Sequence, residues 1–296
     1  MNSGSVVSLR CRMWAPALMA SAVLFGSAAA ASAQTAGQKT FASAKQAVDA
    51  FIQAARAGDA SALAGILGSG SEDILSSGDA VADKTTRTEF LAKYDAKHSL
   101  VPSENHTMTL NVGADDWPLP IPLVDNAGKW YFDGAAGREE IVYRRIGRNE
   151  IGAIDVCDGV VSAQQDYVKA SHDGKPAGTY ADRVISEPGK QNGLYWKTNP
   201  GEPESPAGPM LADASSQGYD VSGAKTPYHG YYYRMIQKPG GFAFVAYPAQ
   251  YRVSGVMTFA VTEDGVVYQK DLGPQTSEII SHIGQYKIDD TWKVAE

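Results

Sequence analysis

The sequence predicts an α+β fold in two domains, an N-terminal domain of helices plus a hairpin sheet and a C-terminal domain with a long helix packed on an antiparallel sheet. Short helical patterns with capping residues precede alternating strands in residues 41–136. A long amphipathic pattern begins near residue 138, and aromatic and β-branched strands fill the last third. The composition, 44% hydrophobic and 20% charged, is typical of a chain that buries a core.

Residues 1–33 have the pattern of a cleavable signal peptide. Arg10 and Arg12 precede an apolar run over residues 13–25, and an alanine-rich stretch follows. Because this run is too short to span a bilayer stably, it predicts export rather than a transmembrane anchor. We expect cleavage after Ala33 and a soluble product in the periplasm or outside the cell.

The charge and the cysteines of the mature chain exclude two classes of protein. Loss of Arg10 and Arg12 takes the basic residues from 26 to 24 against 33 acidic ones, a formal net charge of −9. Nucleic acid is therefore not an expected partner, because phosphate binding requires a basic surface. Cys157 is the only cysteine left after cleavage, so no internal disulfide is possible.

The N-terminal domain, residues 41–136, follows a short polar tether over residues 34–40. Ser43 and Gln46 have the spacing of a capping box, and Gly58 is placed to end that helix. Asp59 is placed to cap a second helix to Leu67. A third helix is predicted over 86–97, and the alternating segment 106–112 predicts a strand.

The stretch DDWPLPIPLV, residues 115–124, has three prolines at alternate positions. In an extended strand these prolines remove every N–H donor from one side, which favours the protected edge of a hairpin whose second strand is KWYFD, residues 129–133. The alternative is a proline-lined groove that includes Trp117 and Trp130.

The C-terminal domain, residues 137–296, begins with a helix predicted over 138–169. Its wide apolar stripe includes Cys157, which favours a buried cysteine over a reactive nucleophile. A loop-rich region over 171–229 separates this helix from the strands. Asp264 and Gly265 form a hairpin signal between two of those strands.

Several signatures of this chain resemble an exported bacterial family, domain-of-unknown-function family 2950. They include SSGD, GADDWPLPIPLV, YHGYYYR and GVMTFAVTEDGVVYQKDLG, within a span from Phe41 to Trp292. This resemblance implies export and no particular chemistry. The segment RNEIGAIDVCDGVVSAQQDYV, followed later by GYYYRMI, is also similar to the globular head of type IV pilin-like proteins. That second resemblance implies a long helix laid against an antiparallel sheet.

The sequence contains no motif of an established catalytic or cofactor site. It has no G-x-S-x-G elbow, no glycine-rich phosphate loop and no H-E-x-x-H helix, and its five histidines do not pair at metal-ligand spacing. We therefore expect no catalytic residue of a known class, no metal and no cofactor.

Two groups of side chains are candidates for binding. Arg144, Arg145, Arg148 and Asn149 form a polar run on the long helix, either a solvated face or an arginine-lined junction able to hold an anion. The aromatic candidates either stack on sugars or peptides or only build the sheets. They are Trp117, Trp130, Trp196, Tyr231 and Tyr233.

Glu150 is the candidate buried carboxylate. At 100° per residue it falls in the middle of the apolar face that contains Cys157, so it requires a partner if the helix is continuous. Arg234 and Arg252, in or beside predicted strands, are the expected partners. The alternatives are a solvent-exposed Glu150 at a glycine kink and an acid with a shifted pKa at a cleft.

These features favour a non-enzymatic envelope binding or assembly protein with an aromatic and arginine-lined cleft between the domains. Its partner would be an envelope protein or a polysaccharide, and the sequence does not fix the oligomeric state. The alternative function is a carboxylate-dependent hydrolase of cell-wall polymer. That function would need a second carboxylate about 5–9.5 Å from Glu150. A structural module of an envelope complex is a third possibility.

Overall fold

Helices and two antiparallel sheets make up the fold in the computed structural model, which describes residues 34–221, 226–283 and 289–295. The α+β class predicted from the sequence is confirmed. The predicted signal peptide and its cleavage site at Ala33 lie outside the described residues.

Four helices come first in the described chain, and capping side chains mark the start of three of them. They are α1 (Ala44–Ala57), α2 (Ala60–Leu67), α3 (Glu72–Leu75) and α4 (Ala80–Ala96). The Ser43 hydroxyl accepts the Gln46 N–H at 3.2 Å, and Asp59 accepts the Ala62 N–H at 2.9 Å, so both predicted N-caps are confirmed. Helix α4 begins six residues before the predicted residue 86, because Asp79 caps it.

The first sheet follows α4 and has the strand order β1-β2-β4-β5, with β3 also paired to β2. Its strands are β1 (His98–Ser103), β2 (Thr107–Val112), β3 (Trp117–Pro118), β4 (Leu123–Asn126) and β5 (Lys129–Phe132). The hairpin of β4 and β5 agrees with the sequence prediction, whereas β1 was not predicted. The apolar face of the sheet packs on α1, α2 and α4 around Phe51 and Phe132.

The proline stretch is not the continuous edge strand that the sequence favours. Strands β3 and β4 both pair with β2, and residues 119–122 leave the ladder between them. The Leu119 N–H still donates to the Leu110 carbonyl at 2.8 Å, so the non-proline residue keeps its bond to the sheet. The other side of β4 is covered by β5, and the prolines therefore accompany a bulge inside the sheet.

One long helix, α5 (Gly134–Tyr167), joins the two sheets. Its 34 residues span about 50 Å at about 1.5 Å per residue, and Asp133 caps its first turn. Gly137 allows the helix to approach the proline bulge closely, since a Cβ there would lie 2.6 Å from the Pro120 carbonyl oxygen. The helix is continuous through Gly147 and Gly152, as the Glu150 argument requires.

The second sheet is an antiparallel meander with the order β10-β9-β8-β7-β6. Its strands are β6 (Tyr231–Lys238), β7 (Gly241–Pro248), β8 (Thr258–Thr262), β9 (Tyr268–Lys270) and β10 (Lys293–Val294). The C-terminal part of α5 packs on one face of this sheet around Cys157. Two shorter helices, α6 (Gly208–Ser216) and α7 (Thr276–His282), complete the fold, and α7 contacts β7.

Each sheet has its own hydrophobic core, and α5 contributes to both. Ile141 packs against the first core, and the buried side chains of residues 153–167 belong to the second. The described residues fall within one compact unit, Ser32–Glu296, and the predicted boundary between two domains at residues 134–137 stays a prediction. Across the described part of the chain, no helix combines the length and the apolar character needed to cross a membrane.

Candidate functional site

A cavity of about 390 Å³ lies where the N-terminal helices, the proline bulge and the first half of α5 meet. Its apolar lining comes from the first core. The main contributors are Phe51, Leu63, Leu67, Phe90, Leu119 and Ile121. Both the bulge and Gly137 position this wall, because they hold α5 against the sheet. The volume is within the range of small-molecule sites, about 300–1,000 Å³.

The polar part of the lining is mainly cationic. The charged lining residues are Arg87, Lys93, Arg144, Arg145, Arg148, Asp83 and Glu89. Five cations against two carboxylates give the cavity a positive excess in a chain whose net charge is −7. The structure therefore brings together the three predicted arginines of α5 and adds Arg87 and Lys93 from α4.

Arg145 has a structural role in the wall. Its side chain is buried, and its guanidinium donates to the Asp73 carbonyl at 2.5 Å and to the Ile74 carbonyl at 2.9 Å. These bonds tie α3 to α5. Burial lowers the pKa of Arg145 and the neighbouring Arg148 lowers it further, while Asp83 opposes the shift.

Arg144 is paired at the surface of the same helix. Its guanidinium donates to Glu140 at 2.6 Å, one turn earlier, and lies 5.8 Å from the ring centre of Trp117. Both contacts are half-exposed, so each contributes little to stability. Their effect is to hold Trp117 and Arg144 together at the cavity wall.

Arg148 and Arg87 differ from their neighbours, because neither makes a hydrogen bond or ion pair with any residue in the described ranges. Arg148 is exposed on α5, and Arg87 is partly exposed on α4. The positive charge of Arg148 lowers the pKa values of both Arg145 and His229. An anion placed beside Arg148 would relieve this repulsion.

Asn149 links the cavity to the second half of the fold. Its side chain is buried and lines the cavity, and its amide donates to the Ser254 carbonyl at 2.9 Å. Gly230 lies close to it, since a Cβ at Gly230 would come within 2.4 Å of the Asn149 amide nitrogen. The predicted polar run 144–149 therefore lies at a junction between the two sheets.

The five aromatic candidates do not form one surface. Trp117 lines the cavity, whereas Trp130 lies in β5, where its backbone pairs with Phe41. Trp196 packs edge-on against Tyr167, with 6.5 Å between ring centres. The remaining two, Tyr231 and Tyr233, belong to the second core, and their hydroxyls donate to the backbone carbonyls of residues 257 and 228.

Glu150 is half-buried, but its expected arginine partners were wrong. Its Oε1 accepts the backbone N–H groups of Val256 and Met257, each at 2.9 Å. Arg234 instead donates to the Ile280 carbonyl, and Arg252 lies over the ring of Tyr251. The loop before β8 thus supplies the compensating dipoles for Glu150, which does not line the cavity.

A buried carboxylate that was not predicted from the sequence connects the helices to the second sheet. Asp79 is 1% exposed, and its Oδ2 accepts the Tyr219 hydroxyl at 3.1 Å and the Gly230 N–H at 3.0 Å. Its Oδ1 accepts the Ala82 N–H at 3.0 Å and so caps α4. The signal lay in SSGD, where an aspartate precedes an alanine-rich helical pattern.

His229 lies beside this carboxylate in a restricted setting. Its backbone is left-handed, with φ 51°, and its ring packs against Tyr228 with 4.0 Å between ring centres. A Cβ at Gly152 would lie 2.9 Å from the imidazole Cγ, so the glycine makes room for the ring. Burial lowers the pKa of His229, and nearby carboxylates, Asp79 first, oppose that shift.

This shift predicts a pH-dependent loss of stability. Because the folded pKa of His229 is below the value of about 6.5 for an unfolded chain, protonation favours unfolding. The effect is absent above that pH and grows as the pH falls toward the folded pKa. We expect His229→Asn, which tolerates positive φ, to flatten the stability profile between about pH 7 and pH 5, measured by urea unfolding.

His106→Asn is the matched control, because His106 also has a left-handed backbone, with φ 58°, and is exposed. This control is expected to keep the unsubstituted profile. A His229→Asn profile that stays as steep as that of the control would contradict the assignment.

Neither a metal centre nor a reactive thiol emerges from the described part of the chain. No group of three or more His, Cys, Asp or Glu side chains there is arranged to hold a metal. Cys157 is buried in the second core, and burial raises the pKa of its thiol, which disfavours the nucleophilic thiolate.

Comparison with known proteins agrees with one of the two resemblances. A family model described as "Protein of unknown function (DUF2950)" matches residues 38–295, which include the whole cavity lining and the Asp79 contacts. No curated protein and no solved structure matches the chain, so the likeness to pilin heads stays a prediction. The match covers most of the 296 residues, and the chain belongs to the DUF2950 family.

Proposed function

We propose that this protein is exported to the periplasm or the medium and acts there as a non-enzymatic binding protein for a small, largely apolar ligand. The ligand occupies the cavity between the N-terminal helices, the proline bulge and α5. The observation that carries the proposal is the cavity of about 390 Å³, whose floor is apolar and whose charged side chains lie along α4 and α5. Apolar walls with a few placed polar groups are typical of small-molecule sites.

The lining supports a small ligand rather than a polysaccharide. Stacking on sugar rings requires exposed aromatic platforms, and Trp117 is the one tryptophan among the lining residues. Phe51 and Phe90 lie edge to face in the lining, with 5.9 Å between ring centres, so they contribute apolar surface rather than a stacking platform. Such a surface favours a hydrocarbon group over a sugar.

The position of Glu150 favours binding over hydrolysis. An acid that protonates a leaving group needs a free oxygen facing the substrate. Glu150 does not line the cavity, and its Oε1 already accepts two backbone N–H groups. A role in holding the 256–257 loop accounts for its contacts.

Filling the cavity tests the proposal. Ala82 lines the cavity from α4, and Ala92 lies on the same helix but is exposed and outside the lining. We expect the unsubstituted protein to bind the neutral apolar probe N-phenyl-1-naphthylamine with enhanced fluorescence. Ala82→Trp should weaken that binding at least about tenfold, because the indole takes the space of the ligand.

Ala92→Trp is the matched control and should bind the probe as the unsubstituted protein does. Urea unfolding of both variants checks that each remains folded. A protein that fails to bind the probe, or a folded Ala82→Trp variant that binds it with full affinity, would overturn the proposal.

A further inference from the structure

We propose that the ligand of this cavity is a single-chain amphiphile with an anionic head group, held by Arg87 and Arg148 while its hydrocarbon chain lies on the apolar floor. This inference rests on the proposed function and names the chemical class of its ligand. The shared chemistry is an acyl chain with a carboxylate or phosphate, whether free or part of a lipid.

The charged lining residues differ in whether they already have partners. Three of the five cations already have partners: Lys93 lies 3.3 Å from Asp115, Arg144 pairs with Glu140, and Arg145 donates to two carbonyls. Arg87 and Arg148 have none within the described ranges. They are therefore the two guanidinium groups of the lining whose donors are available to a ligand.

The carboxylates of the lining do not neutralise this pair. Asp83, in the first turn of α4, accepts the Ser77 N–H at 3.0 Å and the Ser77 hydroxyl at 2.7 Å, so it is bound to the loop before the helix. Glu89 is exposed on α4, four residues before Lys93. The cavity therefore keeps an excess of positive charge at Arg87 and Arg148.

The positions of the two arginines suit a single anionic head group. Arg87 comes from α4 and Arg148 from α5, so they approach the cavity from two different walls. A guanidinium presents a planar fork of donors that matches a carboxylate or phosphate, and two forks on separate walls can hold one head group between them. The positive charge of Arg145 repels Arg148, and an anion would offset this repulsion.

The apolar part of the cavity lining suits the hydrocarbon chain of the ligand. Leu63, Leu119 and Ile121 belong to the first core and also line the cavity, so a bound chain would extend that core. A polar anion such as phosphate alone would leave this surface wet. A neutral hydrocarbon would leave the two guanidinium groups without a partner. The combination of both surfaces fits an amphiphilic anion.

The test compares three ligands of equal chain length that differ in head group. Dodecanoate, dodecanol and dodecylammonium, each below its micelle concentration, compete with N-phenyl-1-naphthylamine for the cavity. We expect dodecanoate to displace the probe at a concentration at least about tenfold lower than dodecanol, and dodecylammonium to be the weakest.

Substitution of both arginines should remove this preference. In the double variant Arg87→Gln, Arg148→Gln, dodecanoate is expected to lose its advantage over dodecanol, with each displacement referred to the variant's own affinity for the neutral probe. Arg56→Gln is the control, because Arg56 is half-exposed, pairs with Asp95 and does not line the cavity. That control should keep the full preference for dodecanoate.

The source of the anion is distinguished by a lipid arm. Retention on phosphatidylcholine vesicles that contain the single-chain lipid lysophosphatidylglycerol, lost in the double variant, would identify a membrane lipid as the source. Dodecanoate binding without vesicle retention would identify a free acid, and both results support the shared chemistry.

The failures are separable. Absence of probe binding overturns the proposed function. Probe binding with equal displacement by dodecanoate and dodecanol overturns the anionic head group alone. A double variant that keeps its preference for dodecanoate overturns the assignment to Arg87 and Arg148.

Discussion

Replacement of Asp79 by alanine is expected to lower the free energy of unfolding by about 3–7 kcal/mol. The carboxylate is buried and accepts three hydrogen bonds, from the Ala82 N–H, the Tyr219 hydroxyl and the Gly230 N–H. Loss of an N-cap costs about 1 kcal/mol, and a buried donor without a partner costs about 1–3 kcal/mol. Asp79→Ala would remove the N-cap and would also leave two buried donors, the Tyr219 hydroxyl and the Gly230 N–H, without a partner.

Two further variants separate these contributions. Asp79→Asn keeps an oxygen for the Ala82 N–H but turns an NH₂ group toward the Gly230 N–H. Two donors then face each other, because the backbone N–H cannot rotate away. An intermediate loss is expected. Asp59→Ala removes an exposed N-cap that accepts only the Ala62 N–H in the described contacts, and should cost about 1 kcal/mol.

Urea unfolding measures all three variants. If Asp79→Ala is no more destabilising than Asp59→Ala, the contacts to Tyr219 and Gly230 contribute nothing and the argument is wrong. An unchanged slope of the free energy of unfolding against urea concentration would show that the variants expose the same surface on unfolding as the unsubstituted protein.

Local signals in the sequence predicted most of the elements. Ser43, Asp59 and Gly58 act through bonds to residues a few positions away, so their roles can be predicted without the rest of the fold. Strand β1 was missed because its exposure pattern lacks a buried face and Pro102 interrupts it. The start of α4 was missed because the helix was predicted only from residue 86, although the spacing of Asp79 fits a cap.

Only the part of the candidate site that lies on α5 could be predicted from the sequence. Arg144, Arg145, Arg148 and Asn149 were singled out together because helical spacing places them on neighbouring faces of one element. Arg87 gave no such signal, because its place in the same cavity lining as Arg148 depends on how α4 and α5 pack. The proline bulge also could not be predicted from local signals, because it depends on which strands pair.

Glu150 shows where prediction from helical phase ends. Helical phase places it in the middle of the apolar face of a continuous helix, and the structure has it half-buried there. Helical phase could not identify the partner, because every residue other than proline carries a backbone N–H and the choice of Val256 and Met257 is made by the tertiary fold. The search for a charged partner therefore led to two arginines that bind elsewhere.

This geometry predicts a graded response at Glu150. Glu150→Ala leaves the Val256 and Met257 N–H groups without their acceptor and is expected to lower the free energy of unfolding by about 2–4 kcal/mol. Glu150→Gln retains a carbonyl oxygen at the same reach and loses only the charge, so a cost of about 1 kcal/mol is expected. Glu139→Ala, at an exposed position of the same helix, should stay within about 0.5 kcal/mol of the unsubstituted protein.

The order of the three values tests the role of the carboxylate. If the Glu150 carboxylate acts as an acceptor for two backbone donors, Glu150→Ala has a much lower free energy of unfolding than Glu150→Gln. Glu139→Ala is then unchanged. Equal losses for alanine and glutamine would mean that the charge itself is required, as in a buried ion pair. Losses within about 0.5 kcal/mol for both would place the Glu150 side chain in water, where solvent replaces its two bonds.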